Sequence, residues 1–230
     1  MGGGAKEKIV VCFIFASVLA VIPAPALFAD WGVKGGVGIS GLHSATGDFR
    51  HYLGYEMEWL RMGNLLSYQI GVSKSFSLSE KFQIQPELFY SVRGGDASEK
   101  FLFESVIFKI KMSYLEFPLL FKYRIPVISN LKLVLYLGPY AALKLKAQKH
   151  TEIWGEKEES DLPNVKNYDY GIVLGIGTEF KLHSGSLSLE FRSNWGMADI
   201  MSMPAGYIRL YEEKDRIRNF SLVFMTGYQF

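Results

Sequence analysis

Cysteine is nearly missing from this chain. Its 230 residues contain one, Cys12, which sits in an apolar N-terminal stretch. A chain without Cys12 would have neither a disulfide nor a thiol metal ligand. Charge of one sign is lacking too, with 25 Lys plus Arg against 23 Asp plus Glu. That balance offers no basic face for nucleic acid, and no nucleic-acid module is present. Histidine is scarce. His43, His51, His150 and His183 show no metal-ligand spacing on a common strand face, so no metal, cofactor or catalytic residue is expected. After residue 30 no apolar run is long enough for a membrane helix, which excludes a helical membrane protein for that part of the chain.

What is present is aromatic and glycine-rich: 15% of residues are Phe, Trp or Tyr, and 23 are Gly. That pairing fits many strands whose backbones approach closely. The N-terminus has its own character. Lys6 and Lys8 precede "IVVCFIFASVLAVI" at 9–22 and then "PAPALFAD". A basic start, an apolar middle and small residues before a polar one make a secretory signal. Residues 1–29 are expected to be cleaved, leaving 30–230 as one domain. Cleavage after Ala26 is the weaker alternative, and an uncleaved anchor the competing reading.

From residue 31 onward the pattern has period two. Strands are expected over 31–42, 65–78, 82–93, within 106–124, and over 131–146, 167–182, 186–197 and 219–230. The last reads "NFSLVFMTGYQF", with Phe220, Leu222, Phe224, Tyr228 and Phe230 on one face. Pro86 calls for a bulge or a weak point in the ladder. Lys109 and Lys111 break the apolar face of strand four, which implies a bulge near Met112–Ser113 or a strand that has left the apolar zone. The links "SLSEK", "IPVISN" and "HSGS" are short, whereas 43–64, 94–105, 147–166 and 198–218 are long and polar. Long and short alternate, so all short turns fall at one end, as in outer-membrane barrels.

Which face is inside decides the class. One face of nearly every strand is almost free of charge and carries Trp31, Tyr68, Tyr90, Tyr123, Tyr168, Trp195 and Tyr228 near its ends, where amphipathic aromatics meet a membrane interface. The other face is rich in Gly and Ser with charges of both signs. Lys34, Glu87, Arg93, Glu116 and Lys122 lie there on the first four strands. Lys132, Lys144, Asp169, Glu179, Lys181, Glu190 and Arg192 follow on the next three. In lipid every backbone polar group must pair, so the sheet must close. The expected fold is all-β: an eight-stranded antiparallel up-and-down transmembrane β-barrel. The alternative is a soluble barrel with an apolar ligand cavity. An even strand number puts both termini on the short-turn side, in the periplasm. Eight strands leave a lumen that side chains fill, so a paired charge network is expected rather than a selectivity ring lining a pore.

Several stretches resemble the outer-membrane β-barrel family that includes the PorT-like proteins of Bacteroidetes: "WGVKGGVGISGL" at 31–42, "QIGVSKSFSLSEKFQIQPELFYSVRGG" at 69–95, "YLEFPLLFKYRI" at 114–125 with "YLGPYAALKL" at 136–145, and "YDYGIVLGIGTEF" at 168–180. The resemblance implies a small eight-stranded barrel of the porin-family class in a Gram-negative cell envelope. One branch of that family is tied to a protein-secretion and gliding apparatus. The terminal strand ending on Phe230 resembles the assembly signal read by outer-membrane insertion machinery. The expected function is a structural or surface-interaction protein without enzymatic activity. The alternatives are a narrow pore or solute carrier, a secretion-apparatus component, or a rim lipid-modifying enzyme built on His43, Ser44, Asp48 and His51. The expected partners are outer-membrane lipid and lipopolysaccharide, the assembly machinery, and a protein at the long loops. Loop candidates are the acidic runs 156–161 and 211–216 and the stretch 54–64 with Trp59, Leu60 and Met62.

Overall fold

The computed structural model describes residues 30–43, 63–101, 104–153, 156–162, 164–201 and 216–230. The expected signal segment, the first long link with Ser44, Asp48, His51, Trp59, Leu60 and Met62, and residues 211–215 of the second acidic run lie outside the described residues. Among the described residues, alternation of large outward and small or charged inward side chains produces nine strands: β1 Asp30–His43, β2 Gly63–Ser77, β3 Phe82–Phe101, β4 Glu104–Ile128, β5 Leu131–Ile153, β6 Glu156–Asp161, β7 Tyr168–Leu182, β8 Gly185–Gly196 and β9 Arg218–Gln229. All pairings between them are antiparallel.

Eight of these strands close a barrel in the order β1-β2-β3-β4-β5-β7-β8-β9, sealed by the β1–β9 ladder from Gly32↔Gln229 to His43↔Arg218. The closed ladder leaves no edge inside the barrel, which lipid demands. The registers carry a stagger. Followed once round in register from Gly32, through Ser73, Glu87, Pro118, Tyr140, Gly171, Gly196 and Asn219, the path returns to β1 at Leu42, ten residues further on. An even stagger preserves inside and outside parity all the way round. A barrel of eight strands encloses a space that its own side chains fill.

The apolar face points outward. Leu66, Ile70 and Val37 are 72%, 63% and 60% exposed, far too open for a water-facing sheet and suited to acyl chains. The aromatics flank this band. Allowing for the stagger, Trp31, Phe82, Tyr123, Tyr228 and Phe230 cluster toward the short-turn end. Tyr68, Tyr90, Tyr168 and Trp195 lie toward the other. Rings meet in pairs at both levels: Phe82 and Tyr123 at 4.9 Å, Tyr228 and Phe230 at 5.2 Å, Trp195 and Phe220 at 5.0 Å between centroids.

Two of the expected loops are strands. Residues 94–101 continue β3 and pair with Glu104–Lys111 of β4, while Gln148–Ile153 of β5 pairs with both β4 and β6. A four-stranded sheet thus rises beyond the barrel at the long-link end. The acidic run 156–161, expected in a solvated loop, is its outermost strand. The cause is packing. Phe108, Ile110 and Met112 point inward and are fully buried, so this part of the sheet has a core of its own. Lys109 and Lys111 keep the outward parity, because here the strand has left the apolar band. The ladder irregularity falls at Ser113/Tyr114, beside the expected Met112–Ser113. Pro86 interrupts rungs without changing register on either side: a weak point, not a bulge.

Candidate functional site: a bridged and capped lumen

The inward parity delivers charges from five strands into one narrow space. In its lower half Arg192 of β8 reaches Glu87 of β3 with two bonds, Nη1 to Oε2 at 2.6 Å and Nη2 to Oε1 at 2.9 Å. Its Nε donates to Glu190 Oε2 at 2.7 Å. Lys34 of β1 joins the same pair of acids, at 3.0 Å from Glu87 Oε1 and 2.7 Å from Glu190 Oε1. Two cations and two acids therefore share one quartet, and every member is buried. Nearer the short-turn end, Lys122 donates to Glu179 and to Gln85. Gln85 Nε2 in turn donates to Glu87 at 2.6 Å, which links the two groups. Charge pairs of this kind survive burial only when their remaining lone pairs and protons are also matched.

The upper half holds a second group. Arg93 pairs with Glu116, and Ser91 donates to the same carboxylate. Asp169 accepts from Tyr140 Oη at 3.0 Å and from Asn219 Nδ2 at 2.9 Å. Asn219 also donates to Tyr114 Oη at 3.2 Å. Of the twelve charges expected inside, nine fall in these groups. The other three do not. Lys144 is half-buried and donates to the Val165 carbonyl, while Lys132 and Lys181 stand at the short-turn mouth.

Sequence reasoning missed the aromatic hub. The ring of Tyr136 on β5 faces three cations: Lys34 at 5.9 Å, Lys122 at 5.5 Å and Arg192 at 5.3 Å from its centroid. Tyr140 does the same for Arg93 at 5.2 Å. Cations over a desolvated ring gain from its quadrupole, so each tyrosine stabilises the charged heads it faces. The signal was available: both tyrosines share the inward parity of Gly138, between them.

Above the polar layers the lumen turns apolar. Val165 bridges Met201, Lys166 N donates to Ile200 O at 2.8 Å, and Ile200 N donates to Ile217 O at 2.9 Å. Lys166 and Asp199 clamp the segment at 3.0 Å. Val165, Ala198, Ile200, Met201 and Ile217 then pack with Leu42, Phe108, Ile110 and Met112 in one core. Among the described residues, this cap lies across the long-link end of the barrel. Among the described residues, no three His, Cys, Asp or Glu side chains converge as metal ligands.

Comparison with known proteins agrees with this architecture. Residues 23–202 match the family described as outer membrane protein beta-barrel domain. The chain belongs to that family. It is an outer-membrane barrel. Among curated proteins, none matches it. Solved structures similar to it include OprG from Pseudomonas aeruginosa, with 13% identity over 88% of this chain and 96% of that one and a TM-score of 0.44. Neisserial surface protein A shares 11% identity over 87% and 97% of the two chains, with a TM-score of 0.40. Ail of Yersinia pestis, solved with the heparin analogue sucrose octasulfate, shares 12% over 88% and 99%, with a TM-score of 0.37.

Proposed function

We propose that this protein is a sealed, non-enzymatic outer-membrane barrel whose work is done at its surface. The observation that carries the reading is the lumen itself, bridged from wall to wall by the Arg192–Glu87 pair and shut above by the apolar cap. The bridge and the cap favour this reading over a pore or carrier, because among the described residues both lie across the lumen.

Surface work has a platform in the sheet that rises from β3, β4, β5 and β6. Its outermost strand carries Glu158, Glu159 and Asp161, which discourage indiscriminate edge pairing while leaving a charged face for a partner. Lys109, Lys111 and Lys146 stand on the outward face just past Leu115 and Leu145, at the level where phosphate-bearing head groups of lipopolysaccharide would meet them. Both termini then face the periplasm. Membrane-impermeant labelling of intact cells tests the orientation: a cysteine at Glu158 should react and one at Glu80 should not. The reverse pattern overturns it.

A further inference from the structure

The three short turns leave a bowl at their end of the barrel, with a volume of about 310 Å³. That is roughly ten times the share of one water molecule in the liquid and falls in the size class of small-molecule sites. Its lining is strongly biased. Arg124, Lys132 and Lys181 bring three positive charges, and His183 adds an imidazole. Glu179 is the acid among the lining side chains, and its carboxylate is already held by Lys122. Neither Lys132 nor Lys181 has an ion-pair partner among the described residues.

The bowl is built rather than incidental. Lys181 N donates to Asn130 O at 2.8 Å, tying the β7–β8 turn to the β4–β5 turn. Arg124 fixes the third turn through Glu80 O at 2.9 Å. Three buried polar atoms of the lining have no hydrogen-bond partner among the described residues: Arg124 Nε, Gln229 Nε2 and Gln83 Oε1. Gln83 is only 4% exposed. Two of the three are N–H donors, and a donor left without a partner in a buried wall is costly. Cationic side chains and orphaned donors around one concavity are the chemistry that receives oxyanions.

We infer that the short-turn mouth binds a multivalent anion carrying phosphate or carboxylate groups, with Lys132, Lys181 and Arg124 as its charged contacts and the Gln229 amide as a neutral donor. The site is separate from the charge quartet of the lumen, which has its own partners. It holds whichever compartment the mouth faces, so the labelling experiment above and the one below fail independently.

The test is isothermal titration of the whole barrel in detergent at low salt, with pyrophosphate in one arm and citrate in the other. One saturable equivalent is expected in at least one arm. The variant K132Q/K181Q should weaken it by roughly tenfold or more, the worth of one charge-assisted hydrogen bond. The variant K149Q/K157Q removes the same charge at the opposite end, on β5 and β6, and should leave affinity unchanged. Tighter binding of pyrophosphate assigns the site to phosphates, tighter binding of citrate to carboxylates. Gel mobility of the unheated protein reports that each variant is folded. No saturable heat in either arm, no loss in K132Q/K181Q, or an equal loss in both variants would overturn the assignment.

Discussion

Arg192 and Glu87 sit on strands four places apart in the ring, as far from each other as an eight-stranded barrel allows, yet they meet at 2.6 Å. A guanidinium of fixed fork geometry spans the lumen and engages both carboxylate oxygens. Lys34 and Glu190 flank the contact, so each charge has two opposite neighbours.

Breaking this bridge from one side should cost more than removing it. Arg192→Met leaves Glu87 and Glu190 to share Lys34, and Glu87→Gln leaves an excess cation. Each is expected to lose about 3–5 kcal/mol in urea unfolding from lipid vesicles. The double variant leaves a matched Lys34–Glu190 pair and should be destabilised by clearly less than the sum of the singles. Simple additivity would show that the two residues do not act as a unit.

The seam between β1 and β9 needs Gly227. A Cβ there would lie 2.6 Å from Lys34 Cγ and 2.9 Å from Ser188 Oγ. The lysine stem can move, but only by drawing its Nζ away from Glu87 and Glu190. Gly227→Ala should therefore cost about 1–3 kcal/mol, and most of that cost should vanish in a Lys34→Met background. The same urea titration reads both.

Much of this was legible in the sequence, and the failures have physical reasons. Period-two alternation identified every barrel strand and told inward from outward at Lys34, Glu87 and Arg192. It could not say who meets whom, because Glu87 and Arg192 are 105 residues apart and their encounter depends on the stagger of the closed ladder. Parity gives direction but not depth. Lys132 and Lys181 point inward like Lys122, yet they lie beyond the filled section. Residues 94–105 read as a loop because Gly, Asp, Ser, Glu and Lys predominate in their sequence. The apolar residues that make the neighbouring β4 segment a strand, Phe108 and Ile110, face inward, where the lower barrel has charges. Parity alone does not single out Tyr136, because an inward aromatic suggests filling rather than a partner for cations.

The outward face answers to lipid. Ile70 lies mid-strand on β2 and is 63% exposed. Ile70→Arg should destabilise the inserted barrel by about 2–4 kcal/mol, as a charge near the bilayer midplane does. The same change at Lys111, already cationic and beyond the band, should be neutral. Equal effects at both positions would contradict the lipid-facing assignment.

The cap should open independently of the barrel. Ile200 is fully buried, and its backbone joins Lys166 to Ile217. Ile200→Ala removes about 2–5 kcal/mol of local packing. Amide hydrogen exchange should rise at Lys166, Ile200 and Ala198 while the β1–β9 amides stay protected. A uniform rise across the chain would mean that the cap and the barrel unfold together.

Planar-bilayer recording of the purified barrel decides whether the lumen is sealed. Bridged at Arg192–Glu87 and shut at Ile200 and Ile217, it should give a flat trace without stable conductance steps at any applied voltage that the membrane survives. Discrete, long-lived open steps that vanish when the protein is left out would contradict it.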